Sequence, residues 1–325
     1  MTLKFVRVLP FLLVLAASAA NQPAAYIEST KGDAEHWAGL KWSAEDTALF
    51  GGVPVYQGTD THLILVRNFY FVSDYDVDRL TPLWVAHVDE QDSEAKDKAR
   101  TTGVWSRKGD RFEPDANVVA YSRSLNLPFV TDASYTAANP PQLPEGDKNY
   151  AKVTRGHMAS NQEMKADGDD TTGVESQHQS FSLANVVPQL EHNNAPVWAA
   201  LETDCLLWAA KIGRVAVITG PVYAPDDSMP PPVNKVIYTQ GKDGVRIPIP
   251  THLFKIIIGR IDGKLAAVGF LVPHLTTLPK EGYRQYAVPI ADIEKAAHLT
   301  FFAGATTPPD KTEVDSRWLA MLPTK

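Results

Sequence analysis

Arg155, Gly156 and His157 stand together near the middle of the chain, followed by Asn185, Asn194 and Glu202. The asparagines are nine residues apart, and the glutamate comes eight after the second. Each residue type suits one task in hydrolysing a phosphodiester with a single divalent ion. The reaction needs an activated water, a sink for charge on the phosphate and stabilisation of the departing oxygen. A neutral imidazole is a suitable base, because its pKa lies near working pH. Magnesium can do the other two jobs as a Lewis acid and template. It prefers oxygen and keeps several waters, so one or two protein oxygens are often enough. An Asn carbonyl is such a ligand, and a Glu further out can hold the ion's waters. Arg155 offers a forked, permanent charge for phosphate oxygens.

These residues need a strand and a helix to position them. Tyr150 to Thr154 is strand-like, and Gly156 permits a close backbone approach. Pro196 reads as the first residue of a helix, with Asn194 just before its first turn. Val197, Trp198, Leu201, Leu207 and Trp208 give that helix an apolar stripe. Asn194 and Glu202 then lie about two turns apart on one side. A His-bearing strand packed on a helix bearing Asn and Glu is a ββα-metal arrangement.

Thr154-Arg-Gly-His-Met-Ala, Leu183-Ala-Asn-Val-Val-Pro-Gln, Asn194 and Trp198-Ala-Ala-Leu-Glu202 resemble the DNA/RNA non-specific endonucleases, the endonuclease G-like branch of the ββα-metal nucleases. Thr219-Gly-Pro-Val-Tyr, Ile247-Pro-Ile-Pro-Thr-His-Leu-Phe-Lys255 and Ile290-Ala-Asp-Ile-Glu-Lys extend the likeness, which runs from about Leu63 to Phe302. One short motif would be weak; several in order, with the Asn–Asn–Glu spacing kept, are strong. The resemblance implies that His157 is the general base and Asn194 the direct ligand of Mg2+, with Mn2+ or another divalent ion as a substitute. It implies that Glu202 holds metal-bound water and that Arg155 lies near the scissile phosphate. Asn185 would support the site by a hydrogen bond to the histidine or the substrate. It also implies a phosphate-binding Arg near an aromatic residue and an acid; Arg111, ahead of Phe112-Glu-Pro-Asp, is preferred over Arg107, beside a reading of both as surface basic residues.

Three positions depart from the pattern. The motif usually opens with Asp, where this chain has Thr154; the Asp would fix the local backbone and balance Arg155, and a hydroxyl can do part of that. An Arg often follows the Glu by one helical turn, where this chain has Leu206; Lys211 or Arg214 could replace it. The stretch from His157 to Asn185 is also enlarged.

Residues 1–19 read as a signal peptide: Lys4 and Arg7, an apolar run from Val8 to Ala17, then Ala17-Ser18-Ala19. A retained membrane anchor is disfavoured because the run is short. Export to the periplasm or the medium is therefore expected, without stable membrane association, with residues 20–325 as a single domain. Cleavage would remove Lys4 and Arg7 and no acid, taking the net charge from -7 to -9. That argues against tight sequence-independent nucleic-acid binding, which needs many Lys and Arg contacts to phosphate. It does not exclude a turnover enzyme with a local positive patch. The single Cys205 excludes an internal disulfide and reads as a buried small hydrophobe.

Along the chain, His62 to Tyr75 and Leu83 to Val88 read as strands at the edge of an antiparallel sheet. Glu90 to Arg100 reads as a solvated surface, and Ala137 to Asp147 as a Pro-rich loop. Ser160 to Gln179 reads as polar loop; Asp167-Gly-Asp-Asp170 matches no complete EF-hand. Val215 to Thr219, Val233 to Thr239, Phe254 to Gly259 and Leu265 to Val272 read as strands, Ala291 to Thr300 as a helix, and Asp310 onward as a helical tail around Trp318. His178, His192, His252 and His274 read as structural or surface residues.

The expected fold is α+β: a central antiparallel β-sheet flanked by helices, with a ββα-metal nuclease motif. The expected function is a secreted Mg2+-dependent endonuclease acting on DNA and RNA and leaving 5'-phosphate ends. Two alternatives stand beside it: a catalytically weakened member acting as a binding module, and a phosphodiesterase for small nucleotides. A homodimer is compatible with the sequence, which identifies no inhibitor protein.

Overall fold

A computed structural model describes residues 27–28, 37, 39–59, 62–90, 111–135, 153–166, 172–191, 193–223, 237–274 and 282–322. The signal-peptide reading of residues 1–19 lies outside these. So do the readings of most of Glu90 to Arg100, of Arg107, of Ala137 to Asp147, of Asp167-Gly-Asp-Asp170 and of His192.

In chain order the strands are β1 (Ile27–Glu28), β2 (Val55–Tyr56), β3 (Leu63–Arg67), β4 (Phe71–Asp76), β5 (Thr81–Glu90), β6 (Val153–His157), β7 (Val186–Leu190), β8 (Arg214–Val222), β9 (Ile237–Tyr238), β10 (Pro248–Ile249), β11 (His252–Ile261), β12 (Lys264–Pro273), β13 (Ala287–Val288) and β14 (Leu299–Thr300). The helices are α1 (Ala44–Leu49), α2 (Ala116–Ser124), α3 (Asp132–Tyr135), α4 (Asn161–Ala166), α5 (Thr172–Ser180), α6 (Ala199–Ile212), α7 (Ile290–Ala297) and α8 (Ser316–Ala320).

Among the described residues, eight strands form one antiparallel sheet in the order β1-β3-β4-β5-β8-β11-β12-β13. Alternation along its central strands feeds two cores. Val215, Val217, Leu253 and Ile257 pack on the α6 side with Trp198, Leu201, Cys205 and Trp208. Ala216, Ile218, Phe254, Ile256 and Ile258 pack on the opposite side with Leu49, Phe50, Ile290 and Ile293. The α+β expectation holds.

Several details differ. The Leu83 to Val88 strand is interior, flanked by β4 and β8, because it is apolar on both faces. The described residues of Ser160 to Gln179 form α4 and α5 rather than loop. Ser160 and Glu163 form a capping box for α4: Ser160 Oγ accepts from Glu163 N–H at 3.1 Å, and a Glu163 carboxylate oxygen accepts from Ser160 N–H at 3.3 Å. The Ala291 to Thr300 helix ends at Ala297, where His298 turns left-handed with φ 53° and the chain enters β14. Of Val233 to Thr239, Ile237–Tyr238 forms a strand that pairs with β10, outside the central sheet.

Candidate active site

Strands β6 and β7 form a separate antiparallel hairpin, with His157 opposite Val186, Arg155 opposite Pro188 and Thr154 opposite Gln189. Gly156 is required there, because a Cβ would run into the Gln189 side chain. After β7 the chain makes a wide π-type turn over Asn193–Trp198 and enters α6. Asn194 therefore lies inside that turn rather than just before a regular helix. Pro196, which has no N–H to give, stands within the turn. The buried stripe starts at Trp198 and continues in α6 with Leu201, Cys205 and Trp208, whereas Leu207 is 37% exposed. A 3.6-residue repeat places Cys205, not Leu207, on the sheet side.

The hairpin and the turn meet through Thr154. Its hydroxyl donates to Gln189 O at 3.0 Å, and Asn194 Nδ2 lies 3.3 Å from the Thr154 hydroxyl oxygen itself. A hydroxyl has one proton to give, and here Gln189 takes it. Asn194 must therefore donate through its amide, which leaves its carbonyl oxygen as the group available to a cation.

His157 is half-buried, with its ring 5.1 Å from that of Phe112 and edge-on to Phe181 at 5.4 Å. Arg155, two residues earlier on the same face of β6, lies over Phe112 at 5.3 Å. A guanidinium nitrogen of Arg155 reaches the Asp132 carboxylate at 2.5 Å.

Asn185 is fully buried, but its bonds go to the backbone rather than to the histidine. Its carbonyl accepts from Ala159 N–H at 2.8 Å, and its amide donates to Ala159 O at 2.8 Å and Ser180 O at 3.0 Å. It clamps the segment just past His157.

Glu202 is buried on the sheet side of α6. Burial, reinforced by Glu163 and opposed by Lys255, pushes its carboxyl up to about 8. A cation beside it would reverse that. The Asn194 carbonyl and the Glu202 carboxyl thus suit an oxygen-preferring divalent ion. Arg111 is exposed and lines a cavity of about 400 Å³ with Glu113, Asp115, His178 and Phe181. Leu206 is half-buried. Of the suggested replacements for an Arg there, Lys211 donates to Met321 O, and Arg214 pairs with Asp46 at 2.9 Å and Glu90 at 2.6 Å.

Under α6 lies a buried charged cluster of His87, Asp89, Glu163 and Lys255, none of which carries a role in the sequence pattern. Lys255 Nζ lies 3.2 Å from both carboxylate oxygens of Glu163 and 5.4 Å from the Trp198 ring centre. His87 Nε2 is 3.6 Å from Glu163 and 3.6 Å from Asp89. Burial raises the Glu163 carboxyl, but Lys255 and then His87 outweigh that and hold it well below the usual range. Burial lowers Lys255, and Glu163 more than restores it. Donor atoms of His87, Asp89 and Glu163 lie within 4.8 Å of one another, a group able to hold a metal ion. The Lys255 ammonium already supplies positive charge there. The one sequence cue was the Ser160–Glu163 capping spacing.

The family model for DNA/RNA non-specific endonucleases matches residues 55–307. The chain belongs to this family. Its members hydrolyse phosphodiester bonds with a metal ion, as the residues above suggest. The chain is 30% identical to the mitochondrial nuclease EXOG of Danio rerio over 265 residues, 76% of this chain and 66% of that protein. It is 27% identical to nuclease C1 of Cunninghamella echinulata var. echinulata, over 73% of this chain and 82% of that protein. It is 27% identical to the mitochondrial endonuclease G of Homo sapiens, over 71% and 67%. The chain spans 66%, 55% and 61% of three EXOG relatives, from Danio rerio, Xenopus laevis and Mus musculus. A solved EndoG/EndoGI complex, described as showing the mechanism of EndoG inhibition, shares the fold with a TM-score of 0.57 and 23% identity, over 82% of this chain and 94% of that one.

These relatives correct the expected localisation. EXOG, endonuclease G and nuclease 1 of Schizosaccharomyces pombe are named as mitochondrial proteins, which points away from export. Among the described residues no helix is long and apolar enough to cross a membrane.

Proposed function

We propose that residues 20–325 act as one Mg2+-dependent endonuclease domain that hydrolyses phosphodiester bonds of DNA and RNA. The observation that carries this reading is the Thr154 hydroxyl between Gln189 and Asn194, which engages the Asn194 amide nitrogen and leaves its carbonyl oxygen out of that bond. Asn194 and Glu202 would hold the ion, which when bound supplies Lewis-acid stabilisation of charge on the phosphate and the leaving oxygen. His157 takes the proton from the attacking water, and its ring is held between Phe112 and Phe181. Arg155 exchanges Asp132 for a phosphate oxygen as substrate arrives. Asn185 is a positioning residue that fixes Met158 and Ala159, so the backbone after His157 does not shift. Contacts to phosphate and sugar imply little sequence preference, and the family resemblance implies products with 5'-phosphate ends.

Cleavage of supercoiled plasmid and of RNA, with Mg2+, with EDTA and with His157→Ala, tests the reading. Removing a general base costs roughly 10²- to 10⁴-fold. Cleavage that ignores EDTA, or that survives in the variant, would sink it. The mitochondrial names of the relatives support a mitochondrial site of action, and cell fractionation of the tagged chain tests that. An inhibitor protein is open to test by analogy with the EndoG/EndoGI complex, and a homodimer by light scattering.

A further inference from the structure

We propose that a groove leading away from His157 holds single-stranded nucleic acid beyond the scissile bond, with Phe69 as its base-stacking platform. This rests on the nuclease reading and names a substrate class for it. The groove is formed by two adjoining cavities. The inner one, about 400 Å³, includes Arg111 and Phe181, and Phe181 stands edge-on to His157 at 5.4 Å. The outer one, about 530 Å³, includes Gly39, Arg67 and Phe69. Asn68 and Gln179 line both, so the two lie side by side.

Phe69 lies at the turn between β3 and β4 and is 47% exposed, although the next two rings in the sequence, Tyr70 and Phe71, are buried. Lys41 Nζ stands 5.2 Å from the Phe69 ring centre and 5.4 Å from that of Tyr70. The Lys41 N–H donates to Phe69 O at 2.8 Å, which ties the cation's own backbone to the turn. Arg67 lines the same cavity. An exposed ring beside two cations matches a base with its flanking phosphates. The inner cavity also carries two carboxylates, Glu113 and Asp115. Asp115 is committed to α2, where it accepts from the N–H groups of Asn117 and Val118 at 2.9 and 3.2 Å. The positive charge is therefore concentrated at the outer end, around Phe69. A duplex keeps its base faces inside the stack, whereas a single strand can lay one on the ring.

The test is binding of a fluorescent oligothymidylate, long enough to fill the groove, by His157→Ala protein, which prevents cleavage. Phe69→Ala in that background should weaken binding roughly 5- to 100-fold. Phe69→Tyr, which keeps the ring, should bind as the parent does. Lys41→Met with Arg67→Met should weaken binding and flatten its salt dependence by about one phosphate contact each. Affinity unchanged in Phe69→Ala overturns the proposal, as does an equal loss for a blunt duplex. If wild-type protein cleaves polymer while Phe69→Ala binds normally, the groove fails and the nuclease reading stands. If nothing is cleaved yet single-strand binding depends on Phe69, the groove stands and the catalytic reading fails.

Discussion

The Asn194 side-chain nitrogen lies 3.3 Å from the Thr154 hydroxyl, which joins the turn before α6 to the strand that carries His157. Thr154 is three residues before His157, about 10 Å along the strand. A threonine at a position where the family motif usually has Asp thus orients the proposed metal ligand. Thr154→Val, which keeps the shape and removes the hydroxyl, should raise the Mg2+ concentration needed for half-maximal cleavage. One such hydrogen bond is worth about 1 kcal/mol, so a shift of roughly fivefold is expected. Thr154→Ser should restore it. A metal titration that is identical in wild type and Thr154→Val would remove this role.

Asp132 takes up the other task expected of the missing acid. Its side chain is 54% exposed and its partner Arg155 25%, so their pairing contributes little to stability. It does compete with phosphate for the guanidinium. Asp132→Asn should lower KM for polymeric substrate about two- to fivefold at low salt and leave kcat and the melting temperature nearly unchanged. Steady-state kinetics at two ionic strengths would check this; a fall in kcat alone would show that the carboxylate positions Arg155 instead.

The Glu163–Lys255 pair is fully buried, and removing one member leaves an uncompensated charge. Lys255→Met should destabilise the fold by about 3–5 kcal/mol, as should Glu163→Gln, whereas the double change Lys255→Met with Glu163→Leu should recover most of the loss. Urea unfolding curves of the three variants measure it. Additive losses in the double variant would mean that the two residues act separately.

His274 supplies a pH dependence. Its Nε2 accepts from Leu190 N–H at 2.7 Å and its Nδ1–H donates to Pro250 O at 2.8 Å, an arrangement for the neutral ring. Burial, with a smaller push from His252 and opposed by Pro250 O, lowers its pKa to about 4. The folded state thus binds its proton at lower pH than the unfolded state does. The stabilisation is fully present above the ordinary histidine pKa and is lost as pH falls from there to about 4. The melting temperature should therefore drop through that window, and less steeply in His274→Gln. Equal slopes in the two proteins would exclude His274 as the cause.

Most of the strands that build the sheet were legible, because runs such as Leu63 to Val66 and Phe254 to Gly259 carry strong local preference. So was the order strand, strand, helix at the site. The helices α4 and α5 were not, because Glu163 reads as a surface acid until Lys255, 92 residues later, is placed beneath it. Asp132 was not singled out either: nothing in its neighbourhood signals an arginine 23 residues on.

By itself the sequence determined the chemistry on offer: an imidazole, a fork of positive charge, an amide carbonyl and a carboxylate at spacings that a strand and a helix can bring to one place. Those spacings are short and obey the local repeat of one element, so they can be read without a fold. Only the tertiary structure decided which partner each group meets. It gave Asn194 to Thr154, Arg155 to Asp132 and Glu163 to Lys255, and it gave Arg214 to Asp46 and Glu90. Those pairings depend on how the hairpin and helices pack on the sheet, and packing is a property of distant residues together.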